Sequence, residues 1–152
     1  MGSIIAYDVL SQAQPDIKID TLVTIGSPLG LPIIINKIKS EQHIKFSKLH
    51  KLCTPESVRS HWYNLSDLRD KVAINYNLKD DYSENSKGVR PVDKMVHNNY
   101  KIYGDENPHK SYGYLRAPEM AEIIDEFLTV GQNKIKLWCR EKIARLFFAK
   151  RP

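Results

Sequence analysis

The 152 residues are 41% hydrophobic and 27% charged, which suits a globular domain with a real core and excludes a disordered chain. The formal charge of +5 is gathered at one end: from Gln132 onward Lys134, Lys136, Arg140, Lys142, Arg145, Lys150 and Arg151 stand against only Glu141. Residues 1–131 are therefore near neutral, and no nucleic-acid partner is expected, since such a partner needs basic residues spread over a folded face.

No apolar run is long enough to span a bilayer, and no leader sequence is expected before the first element. Cys53 and Cys139 stand far apart without metal or redox spacing. These features predict a cytoplasmic protein with free thiols and with neither a metal nor another cofactor.

The first element is a helix. Ile4, Ile5, Val9 and Leu10, with small Ala6 among them, predict a buried helix ending before Pro15. Asp20–Gly26 follows as a strand, because Thr21 to Ile25 are β-branched or aliphatic and Gly26-Ser27-Pro28-Leu29-Gly30 stops them. A short helix over Pro32–Lys39 and a polar connection lead to Thr54-Pro55-Glu56-Ser57, a helix start or turn. His43, His50, Cys53 and His61 fit no zinc-ligand spacing and are expected to be solvated or packed.

Ser60–Leu65 is the second strand, with Trp62 as a large core residue, and it runs into Ser66-Asp67-Leu68-Arg69-Asp70. Ile74–Lys87 is polar and carries Asp80, Asp81 and Glu84 without a calcium-loop pattern, so it reads as a surface excursion. Val92–Asn98 is a third strand, with His97 inside it, and His109 lies on the loop beyond. A closing helix over Ala117–Leu128 starts with Pro118 and should pack Met120, Ile123, Ile124, Phe127 and Leu128 into the core. Over 131–152 an apolar stripe opposite lysines and arginines predicts a basic amphipathic helix, which docks on its own domain or contacts a membrane surface. The alternation of strands and helices predicts an α/β fold with a short parallel sheet of about three strands and flanking helices.

Four stretches, in this order, resemble the C-terminal half of an α/β-hydrolase domain of the lipase and esterase kind. Met1-Gly2-Ser3 resembles the end of the nucleophile elbow G-x-S-x-G, with Gly2 as its second glycine, and Gly26-Ser27-Pro28 resembles the turn closing the next strand. The segment Trp62 to Ala73, W-x-N-x-x-D-x-x-D-x-V-A, resembles the acid segment, and Asn107-Pro108-His109-Lys110-Ser111-Tyr112 resembles the histidine loop.

This resemblance covers Met1 to about Leu128 and implies Asp70 as the acid, with Asp67 as its rival, and His109 as the base, with His97 as runner-up. It implies an oxyanion role for the backbone N–H of Met1, a stretch from Leu31 to Leu52 able to form a cap, and an ester substrate, lipid esters included. The nucleophilic serine has no position in this sequence, since Ser27 lacks the G-x-S-x-G spacing and is followed by a proline without an N–H. The resemblance therefore implies a partial α/β-hydrolase fold over 1–130, lacking an N-terminal half, with an open sheet edge beside Thr21–Ile25 and no activity by itself. The alternative is a non-catalytic module that binds a protein or a membrane.

Overall fold

The computed structural model describes residues 1–12, 17–43, 51–131 and 135. They fall into two units, Met1–Ala117 and Pro118–Pro152.

The first unit is built on a parallel sheet. Strand β1 (Ile19–Ile25) pairs with β3 (Val58–Ser66), and β3 pairs with β5 (Pro91–Met95), giving the order β1-β3-β5. All three strands predicted from the sequence are present and parallel. Helices flank the sheet: α1 (Gly2–Gln12) precedes β1, and α2 (Pro32–His43) lies in the connection to β3. The centre of the sheet falls on β3 because its run from Trp62 to Ser66 is buried on successive residues, as a strand covered on both faces requires.

Trp62 anchors the core. Its ring is fully buried, 5.1 Å from the Tyr82 ring and 6.0 Å from that of Tyr7, while Tyr7 and Tyr82 meet edge to face at 5.4 Å. Each polar handle finds a partner: Trp62 Nε1 donates to Thr24 Oγ1, Tyr82 to the Leu29 carbonyl and Tyr7 to the Cys53 carbonyl. Leu29, Ile35, Leu52, Val58, Leu78 and Val89 complete this cluster.

The structure corrects several expectations. Helix α1 does not bury all its apolar residues: Ile5 and Val9 are 59% and 54% exposed, because Tyr7, with Ile4 and Leu10 beside it, takes the packed face. The first connection carries β2 (Leu52–Cys53) as well as α2, and α2 runs past Lys39 to His43. Ile74–Lys87 is not only a surface excursion. It holds the short helix α3 (Leu78–Asp81) and strand β4 (Tyr82–Ser83), whose Leu78 and Tyr82 are buried and which pairs in parallel with β2. Asp93 explains the turn of helix there, since its carboxylate accepts from the N–H groups of Leu78 and Lys79.

Beyond β5 come the hairpin strands β6 (Lys101–Ile102) and β7 (Asp105–Glu106) and the short helix α4 (Ser111–Leu115). In the second unit residues 118–131 are helical, as α5, with Pro118 in the first turn. Met120 and Ile123 are buried there, but Ile124, Phe127 and Leu128 are half-exposed, so only part of the expected stripe is packed. The basic stretch of the predicted tail, like His50 and Cys139, lies outside the described residues.

Candidate active site

Asp70 and His109 meet at the carboxyl ends of the strands. Strand β3 ends at Ser66, and a turn closed by the Asp70 N–H on the Asp67 carbonyl, at 2.9 Å, brings Asp70 back over the sheet. His109 sits on the loop between β7 and α4, with its Nδ1 3.0 Å from each carboxylate oxygen of Asp70. A carboxylate only accepts, so the shared proton belongs to Nδ1 and leaves the Nε2 lone pair free.

Burial divides the two roles. Asp70 is 1% exposed and is held by the Val72 N–H at 2.9 Å and the Tyr114 hydroxyl at 2.7 Å. The His109 side chain is 53% exposed. A fixed buried acceptor behind a ring with one open edge is the arrangement that orients an imidazole for proton transfer.

Gly26 makes this approach possible. Its φ of +50° is a left-handed conformation, and a Cβ there would lie 2.7 Å from Asp70 Oδ2 and 3.4 Å from His109 Nδ1. The glycine that ends β1 thus lets bare backbone pass against the pair. Ser27 turns the other way: it is buried, its Oγ accepts from the Leu29 N–H to cap the 3₁₀ turn Pro28–Gly30, and it donates to Ser3 Oγ. Its side chain is a structural cap.

A cleft of about 380 Å³ opens beside His109, lined among others by Met1, Gly2, Ser3, Gly26 and Tyr114. Its wall includes the first turn of α1, where backbone N–H groups have no partner within the helix and the helix dipole is positive. Met1, whose N–H is the expected oxyanion donor, is among the residues of this wall.

The rival residues are placed elsewhere. Asp67 is buried in an ion pair with Arg69 at 2.8 Å and accepts from the backbone N–H of Arg69 and Asn98, so the structure gives it the bracing role of a turn carboxylate and not contact with His109. Burial works to raise the Asp67 carboxyl, but the hydrogen bonds from Arg69 and Asn98 outweigh it and hold it down at about 2. His97 is not inside a strand. It follows β5 on a loop, exposed, 3.3 Å from Arg69 Nη2.

Two residues that sequence reading passed over complete the frame. Tyr114, buried in α4, accepts from the Asp67 N–H at 3.0 Å and donates to Asp70. Burial raises its hydroxyl far above the ordinary range, and the bond to Asp70 raises it further, so it remains a donor. Asn98 is the other, buried beneath the histidine loop. The run Ser-Tyr-Gly-Tyr after His109 was a signal for Tyr114, since a tyrosine one helical turn along reaches back to the loop.

Among the described residues no group of three His, Cys, Asp or Glu is placed to hold a metal ion, and no helix is long and apolar enough to cross a membrane. No family model, curated protein or solved structure matches this chain.

Proposed function

We propose that this chain carries the acid and base of a serine hydrolase of the lipase and esterase type, acting on carboxylic esters, with Asp70 as acid and His109 as base. The observation that carries this reading is the contact of His109 Nδ1 with both Asp70 oxygens, at 3.0 Å, beside a cleft. His109 Nε2 takes the proton of an attacking hydroxyl and returns it to the leaving group, and Asp70 stabilises the imidazolium between those steps.

The hydroxyl comes from a serine outside residues 1–152, in a Gly-x-Ser turn joined to Met1. The first turn of α1 lies on the cleft wall, where such a serine would stand next to His109 and the N–H of Met1 would face the oxyanion. The near-neutral body fits an uncharged ester better than a nucleic acid, and the free-thiol pattern fits the cytoplasm.

A second reading, a non-catalytic interaction module, is supported by Met1, Ile5 and Val9, which form an exposed apolar stripe along α1 that a partner protein would cover. The basic tail would add a membrane contact.

An esterase assay separates them. Purified residues 1–152 are expected to hydrolyse a short-chain aryl ester at no more than the background rate of a surface histidine, and the same chain preceded by its Gly-x-Ser half should turn over at serine-hydrolase rates. Such turnover by residues 1–152 alone, abolished by His109→Ala, would contradict the external nucleophile and make Ser3 and Ser111, which line the cleft with His109, the first residues to replace.

A further inference from the structure

We propose that Asn98 is the positioning residue that holds His109 against Asp70, by tying down the backbone on both sides of the histidine. Its side-chain nitrogen donates to the Pro108 carbonyl at 2.7 Å and to the Lys110 carbonyl at 2.8 Å, the residues immediately before and after His109. Both protons of one amide are thereby spent on the two peptide groups that set where the imidazole starts.

Asn98 is itself fixed from every side. Its N–H donates to Asp67 Oδ2 at 2.6 Å, its carbonyl accepts from Arg69 Nη2 at 2.9 Å, and its Oδ1 accepts from the Tyr100 N–H at 3.1 Å. Helix α4 closes over it only because position 113 is glycine, where a Cβ would fall 1.5 Å from Asn98 Oδ1. The same Asp67 segment reaches the other half of the pair, because the Asp67 N–H donates to Tyr114, which donates to Asp70.

The acid and the base therefore hang from one frame. Asp70 is held through Tyr114 and the turn after β3, while His109 is held through Asn98, and both supports end on Asp67. A loop histidine with an exposed ring has many rotamers and backbone positions open to it, and fixing its two flanking carbonyls removes most of the backbone freedom. An asparagine is required because only an amide of this length offers two donors and an acceptor at once.

This inference rests on the acid and base assignment, and its test reads ring geometry and not hydrolysis, so an inactive native protein would count against the function alone. The variant is Asn98→Asp in residues 1–152, which keeps the shape and the acceptor but sets an oxygen against the two carbonyls. In the unsubstituted protein the His109 Nδ1 proton, shielded by Asp70, should give a downfield nuclear magnetic resonance signal. In Asn98→Asp that signal should vanish through exchange with water, while the dispersed signals of the Trp62 core persist. An unchanged His109 signal in a folded Asn98→Asp protein would overturn the proposal. If Asn98→Asp does not fold, the Asn98 side-chain amide of the unsubstituted protein decides. Exchange about tenfold or more slower than that of an exposed asparagine supports the clamp, and exchange at the exposed rate overturns it.

Discussion

Asp70→Asn is expected to lower kcat for a short-chain ester by roughly 10⁴ in the protein that carries the serine, with little change in KM. The reason is the direction of one hydrogen bond. Asp70 accepts from His109 Nδ1, the Val72 N–H and the Tyr114 hydroxyl, and an asparagine amide cannot accept from all three. With the asparagine oxygen kept at the Oδ1 position for the Val72 N–H, the NH₂ group takes the Oδ2 position, 3.0 Å from Nδ1, and favours the imidazole proton on Nε2, the atom that would have to receive the serine proton.

The substitution leaves volume and packing nearly unchanged, so thermal stability should fall far less than activity. Asp67→Asn should lose stability through the Arg69 pair, and its loss of rate should be much smaller than that of Asp70→Asn, because its carboxylate reaches His109 only through Asn98. Steady-state kinetics with both variants checks the pair. A Michaelis constant that rises while kcat holds would place Asp70 in substrate binding instead.

Trp62→Ala should be the most damaging core substitution, costing about 3–5 kcal/mol. Trp62 is fully buried between Tyr7 and Tyr82, and its removal opens a cavity at the contact of α1 with the sheet. It also strips Thr24 Oγ1 of the indole donor, in a stretch where Thr24 binds Asn64 Oδ1 at 3.0 Å. Against a typical total of about 5–15 kcal/mol, this loss leaves a chain close to unfolding at body temperature. Urea denaturation is the check: the midpoint should fall by about 1 M or more, and a smaller shift would mean that the core is not centred on Trp62.

The first two strands of the sheet were legible in the sequence because β1 carries β-branched residues and β3 the aromatic pair Trp62-Tyr63 between turn signals. Thr21 to Ile25 before Gly26-Ser27-Pro28 is the clearest case, and the structure places β1 there. His109 and Asp70 could be paired because a loop histidine and a strand-end aspartate carry a recognisable order along the chain, and the contact itself is visible only in three dimensions.

Other features were hidden for definite reasons. Helix α1 is apolar on two faces, Ile4-Tyr7-Leu10 and Met1-Ile5-Val9, so periodicity alone does not say which face packs. Leu78 and Tyr82 are isolated among Lys79, Asp80 and Asp81, and a polar run of that kind conceals a four-residue helix whose N–H groups are satisfied from β5 by Asp93. Asp67 and Asp70 are the same residue type three positions apart. The turn between them decides which carboxylate points at the histidine and which at Arg69. Asn98 gave no signal, because its partners are backbone carbonyls that no side-chain pattern marks.

The central claim, that Asp70 and His109 serve a serine joined to Met1, is tested most directly by covalent capture. The native protein is isolated from its source cells with an antibody against residues 1–152, treated with a fluorophosphonate that reacts only with an activated serine, and digested for mass spectrometry. The account predicts one modified serine, in a Gly-x-Ser immediately preceding Met1, and no modification in His109→Ala. A native protein that takes no label, or one still labelled in His109→Ala, would contradict it.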